Sequence, residues 1–149
     1  MSAVSPSSLR AQEHPHCVAC GLHHPSGLRM QFHPTDDGGA TATVDCSPAL
    51  QGYTGLVHGG IVSLMLDAAM TNCLFQRGVS ALTAQLTLRF REPLQVGRCA
   101  VVSARVVREF GNALVVKGSI LQGNRLKARG EGIFMEKART PVARCNGGP

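Results

Sequence analysis

The residue that most needs explaining is Asp67. From Ile61 to Met70 eight of ten residues are apolar, and the two exceptions are Ser63 and Asp67. They stand four apart, with Thr71 four further on, so on a helix all three fall on one narrow stripe. A helix that is apolar on every side belongs inside a protein, and a carboxylate there is costly unless it is paired, hydrogen-bonded or at work. Nine residues before Asp67, His58 opens into Gly59-Gly60. A helix starting there presents N–H groups with no partner of their own at its electropositive end. A carboxylate that can accept a proton and a set of donors that can hold an anion are the raw material of a catalytic site.

Other candidates carry less. Ser63 has no His/Asp partners to make it a triad nucleophile and reads as a back-bonded helix serine. Cys17 and Cys20, with His14, His16, His23 and His24 around them, invite a metal. A single Cys-x-x-Cys pair is half a tetrahedral site, and no second pair follows at finger spacing. The expectation is therefore no metal and no cofactor, with thiols packed in a turn under the sheet edge. Arg89 and Arg91 lie on the polar face of a strand and are placed to meet phosphates. Lys117, Lys127 and Arg129 resemble them, and each by itself suits a solvated surface.

The elements that position these residues follow from periodicity. The helix spans about 58–76 and stops at Arg77-Gly78. Before it, Leu28, Met30 and Phe32 alternate with polar residues as a short strand. Asp36-Asp37-Gly38-Gly39 turns the chain, and Ala40, Ala42 and Val44 form the hairpin partner. After it, Leu82, Ala84, Leu86, Leu88 and Phe90 face one way, while Thr83, Gln85, Thr87, Arg89 and Arg91 face the other. Strands over 100–107, 113–121 and 126–135 follow, with turns at Gly111-Asn112 and Gly123-Asn124. In the last strand Leu126, Ala128, Gly130, Gly132 and Phe134 share a face whose small residues let a helix approach. Two strands, one buried helix and four strands give an α+β fold, a mostly antiparallel sheet of five to six strands curled around one long helix. Residues 1–13 read as a mobile N-terminus, 14–136 as the domain, and 137–149 as a loose tail.

Composition narrows the function. A chain of 149 residues with 44% apolar content and no apolar run near 18 residues is one domain without a membrane span. The N-terminus lacks the charged start and apolar block of a secretion signal, and six scattered cysteines read as reduced thiols in a cytoplasmic protein. The net charge of +6 comes with no Trp, one Tyr and no dense Lys/Arg block. That argues against nucleic acid and suits a small polyanion such as a nucleotide-bearing coenzyme.

His58-Gly59-Gly60, the Asp nine residues after the His, and a strand ending in Arg89-Phe-Arg-Glu-Pro93 together resemble the hotdog-fold thioesterases. The likeness is closest to the branch containing the phenylacetate-pathway acyl-CoA thioesterases. It covers roughly 17–136, and Cys17-Val-Ala-Cys20-Gly21 followed by Pro25-Ser-Gly27-Leu28 resembles a leader common in bacterial members. The resemblance implies hydrolysis of an acyl-CoA thioester to a carboxylic acid and free CoA. It also implies a homodimer, paired sheet edge to sheet edge with active sites at the subunit interface, in many relatives doubled to a homotetramer. Asp67 matches the acid that serves as general base on water or as nucleophile, and Gly59 the residue whose N–H polarises the thioester oxygen. His58 matches a residue that orients the carbonyl or the preceding loop, and Thr83 a hydroxyl that holds the attacking water. Gly60 and Gln51, with Arg89 and Arg91, complete the implied substrate-binding set. Two alternatives keep the fold: a non-catalytic acyl-CoA-binding or regulatory module, and an enoyl-thioester hydratase or dehydratase.

Overall fold

A computed structural model describes residues 5–137. Where the sequence reading expects a mobile terminus, Pro6–Glu13 form helix α1. Proline occupies its first turn, and the Ser5 hydroxyl accepts the Ser8 N–H at 3.3 Å. Both are favourable at a helix start. Most of the tail expected over 137–149 lies outside the described residues.

Residues 28–32 form no strand of their own. Their alternation is real, since Met30 and Phe32 are buried, but Leu28 and Met30 donate to the carbonyls of Val18 and Ala19 in the leader. The ladder begins only at β1 (His33–Pro34), which pairs through the expected turn with β2 (Ala40–Asp45). After a short 3-10 turn at Pro48–Leu50, helix α2 spans Gly59–Gln76 and ends at Arg77, with Gly78 left-handed at φ 73°. Strands β3 (Ala81–Phe90), β4 (Cys99–Phe110), β5 (Ala113–Gln122) and β6 (Arg125–Glu136) complete the chain. Gly123 and Asn124 both have positive φ, the pairing that a two-residue hairpin turn requires.

The six strands make one antiparallel sheet in the order β1-β2-β4-β5-β6-β3. Helix α2 lies against its inner face, with Met65, Leu66, Met70 and Leu74 wholly buried. Each such side chain contributes about 1.5–3 kcal/mol by leaving water. The small face of β6 is what allows the approach: a Cβ on Gly132 would stand 2.9 Å from the Met70 sulfur.

Two bulges correct the face assignments made from alternation. In β3 the pairing with β6 skips a residue between Thr83 and Gln85. Ala81 and Thr83 therefore face α2 before the bulge, and Leu86, Leu88 and Phe90 face it afterwards. Leu82 points outward and is 63% exposed. In β6 the partner of Ile120 is Ala128 and that of Leu121 is Leu126, so Lys127 is the extra residue and Leu126 leaves the inner face. A bulge inserts one residue against none, and a period of two cannot register it.

Candidate active site

Helix α2 begins with a cap supplied by its own preceding residue. His58 has extended backbone, and its Nδ1 accepts the Gly60 N–H at 2.8 Å. In the neutral ring that places the proton on Nε2. The carbonyl of His58 accepts from Ile61 and Val62. The Gly59 N–H has no acceptor among the described residues and points from an exposed position. The structure thus gives His58 a local task, satisfying one amide of the first turn and leaving its neighbour bare. Beside the bare amide sits Phe90: a Cβ on Gly59 would be 3.8 Å from its ring. Phe90 is 56% exposed although it lies on the helix side of the sheet. An apolar wall at that point escaped the sequence reading, which only placed Phe90 on the apolar face of its strand.

Two turns along, Asp67 is half-buried rather than sealed in, and its Oδ1 accepts the Thr83 hydroxyl at 2.7 Å. The sequence reading placed Thr83 across from the apolar face of β3. The bulge brings it onto the helix side, where it fixes the carboxylate and leaves the second oxygen available. Ser63 donates to the Gly59 carbonyl at 2.8 Å, so its hydroxyl is back-bonded as expected.

The implied substrate-binding residues do not gather around Asp67. Gln51 is exposed, and its side-chain oxygen accepts the Gly55 N–H at 3.1 Å, which stiffens the loop before α2. Gly60 is committed to the cap. Arg89 and Arg91 share a concavity of about 650 Å³ with Phe90, Glu92, Arg125 and Leu126, at the end of β3. A broader hollow of about 910 Å³ covers the outer face of the sheet, lined by Arg89, Arg105, Lys117 and Arg129 among others. At the β3 end Glu92 receives hydrogen bonds from Arg125 and Lys127, which hold its carboxyl down at about 2.

The leader packs on the far half of α2. The His14 ring stands edge-on to Phe75, with centroids 5.0 Å apart. Burial holds His14 below its usual imidazole range, against the opposing pull of the Glu13 and Asp67 carboxylates. Burial likewise pushes the Cys20 thiol up to about 11. At neutral pH this thiol is no free nucleophile.

One antiparallel sheet wrapped around a central helix, with a carboxylate and a bare amide along the helix's open side, defines the hotdog class. The chain belongs to the Thioesterase superfamily, which matches residues 54–128. It is 25% identical over 107 residues to the bovine acyl-coenzyme A thioesterase THEM4, covering 70% of this chain and 44% of that protein. The chain thus spans less than half the length of this curated relative. Among solved structures it is similar to the Escherichia coli PaaI protein of the phenylacetic acid degradation operon. That likeness has a TM-score of 0.68 and 20% identity, covering 72% of this chain and 83% of the other. It is also similar to smu.793 of Streptococcus mutans, solved bound to acetyl CoA, with a TM-score of 0.68 and 16% identity over 75% and 91% of the two chains. No helix among the described residues is long and apolar enough to cross a membrane.

Proposed function

We propose that this protein hydrolyses an acyl-CoA thioester to a carboxylic acid and free CoA, in a site shared between two copies of the chain. The observation that carries the reading is the pairing of an oriented carboxylate, Asp67 held by Thr83 at 2.7 Å, with the unpartnered Gly59 N–H on the same helix. A thioester carbonyl is electrophilic and its thiolate leaves readily. The protein therefore has to deliver a water and hold the developing oxyanion. Asp67 takes the proton from water as it attacks the carbonyl carbon, and the thiolate leaves with a proton when the tetrahedral intermediate collapses. The Gly59 amide, at the positive end of α2, stabilises the oxygen.

Distance argues for two chains. Gly59 and Asp67 are eight residues apart in one helix, which at 1.5 Å per residue separates them by about 12 Å along the axis. An oxyanion donor and a base acting on one carbonyl must come within about 6 Å of each other, each at hydrogen-bond reach of its target. The same pair within one chain does not satisfy that, so on this reading the amide comes from one protomer and the acid from its partner. β3, an edge strand with Leu82 exposed, offers the unpaired ladder through which a second copy joins the sheet. The name of the bovine relative and the acetyl CoA bound by the streptococcal one support a coenzyme A thioester as substrate. Arg89 and Arg91, beside Phe90, are placed for the coenzyme's phosphates while Phe90 flanks the acyl group.

The test is a thiol-release assay across aromatic and aliphatic acyl-CoAs, combined with complementation between two dead variants. Gly59→Pro removes the bare N–H at a position where proline suits a helix, and Asp67→Asn removes the base. Each alone is inactive. Unfolded and refolded together in equal amounts, they regain about a quarter of wild-type turnover, because half the dimers are mixed and each mixed dimer holds one intact site. No recovery despite mixed dimers would place both groups in one chain and end the shared-site reading. Absence of thiol release from wild type across the panel would end the enzymatic one.

A further inference from the structure

We propose that His14, Cys17 and Cys20 bind one zinc ion that clasps the leader onto the second half of α2. The inference is independent of the thioesterase reading.

The sequence shows half a site, and the fold supplies the missing ligand. His14 ends α1, so the helix delivers its imidazole to the Cys-x-x-Cys turn. One donor atom from each of the three residues lies within 4.8 Å of the other two. His14 Nδ1 and Cys20 Sγ are 3.7 Å apart. In a tetrahedral zinc site with Zn–S near 2.3 Å and Zn–N near 2.1 Å, the N···S edge is about 3.6 Å. The separation therefore matches two ligands already at coordination distance from one ion.

The turn around the thiols is built for the purpose. The Ala19 N–H donates to Cys17 Sγ at 3.4 Å, and the Gly21 N–H returns to the Cys17 carbonyl at 2.9 Å. A donor such as the Ala19 N–H fixes a thiolate and tempers its charge, while the Gly21 bond closes the turn. The knuckle closes so tightly that a Cβ on Gly21 would stand 2.3 Å from the Cys17 nitrogen. No other residue than glycine fits. Asn72 of α2, whose side-chain amide donates to the Ala68 carbonyl at 2.9 Å, stands near Cys20 on the helix side, and Phe75 walls the imidazole. The cluster thus bridges α1, the leader turn and α2 at one point. Two sulfurs and one imidazole select a borderline-soft divalent ion over calcium or magnesium. Binding releases the two thiol protons, and the fourth tetrahedral position goes to a water.

Untagged full-length protein, reduced, equilibrated with zinc and desalted, should retain about one zinc per chain by elemental analysis. Cys17→Ser and His14→Ala should retain less than about a tenth, and Cys99→Ser, whose thiol lies outside the cluster, about one. Cobalt substituted into wild type should show a thiolate-to-metal charge-transfer band and the intense visible bands of tetrahedral coordination. Zinc should raise the melting temperature of wild type and leave that of His14→Ala unchanged. The proposal is overturned if reduced wild type retains under about a fifth of an equivalent. It is also overturned if Cys17→Ser holds as much zinc as Cys99→Ser, or if the cobalt protein lacks the charge-transfer band. A Cys17–Cys20 disulfide in protein purified without oxidant, with no zinc taken up after reduction, would replace it with a redox pair.

Discussion

The two halves of α2 have nearly the same composition and opposite surroundings. From Gly59 to Asp67 the helix keeps an open strip, with Gly59 and Gly60 exposed and Ser63 and Asp67 half-buried. From Ala68 to Phe75 eight consecutive residues are buried. Both halves pack on the same sheet. What differs is the opposite side: the leader and α1 cover the second half, through His14 on Phe75 and Cys20 near Asn72. The first half is left more open, exposed at Gly59 and Gly60 and half-buried at Ile61, Ser63, Leu64 and Asp67. A stretch of apolar helix left open beside an exposed edge strand is where a further molecule is expected. On the proposed mechanism, chemistry belongs to the more open half and cohesion to the covered one.

That division can be broken by experiment. The largest effect is expected from Asp67→Asn, which should lower turnover of the best thioester by about two to four orders of magnitude. Its unfolding midpoint should stay at the wild-type value, because the half-buried carboxamide still accepts from Thr83. A large fall in stability would instead make Asp67 a structural acid. In the sealed half, Leu74→Ala should cost about 2–5 kcal/mol in urea denaturation at matched protein concentration. Turnover per folded molecule should be retained, and a selective loss of turnover would show the halves to be coupled.

A smaller effect sharpens the comparison. Thr83→Val removes the hydroxyl that orients the carboxylate and should lower kcat about tenfold, with KM little changed. An unaltered kcat would mean the contact does not position Asp67. The smallest concerns Glu92, whose carboxyl is drawn from its ordinary 4.5 down to about 2 by Arg125 and Lys127. A carboxyl depressed in the folded state stabilises above its unfolded value and loses that contribution as it protonates. The melting-temperature gap between wild type and Glu92→Gln should therefore be constant above about pH 5 and narrow as pH falls from 4.5 toward 2. A gap independent of pH would show that the ion pair is too exposed to matter.

Much of the scaffold was legible because hydrophobic periodicity is a local signal. The helix limits, the tight turns and the strands after α2 follow from residues near one another in the chain. The resemblance to hotdog thioesterases rested on the same locality, His58-Gly59-Gly60 with Asp67 a fixed distance on. Thr83 shows where that reasoning stops. Alternation assigns it to the face away from α2, and only the ladder with β6, fifty residues downstream, reveals the bulge that turns it toward Asp67. Phe90 marks a related limit: alternation puts it on the face turned to the helix, and only the structure shows that the ring is 56% exposed beside Gly59. His58 was given a role toward the carbonyl or the loop before the helix, and the fold shows its ring capping that helix start.

The sequence by itself determined a central apolar helix holding one acid and opening on glycines, because spacing and composition act within a few residues. Only the tertiary structure decided which side of that helix stays open, which way Thr83 turns, and that His14 meets Cys17 and Cys20. Each of those depends on where distant segments close over one another, and pairing between distant segments leaves no period in the chain.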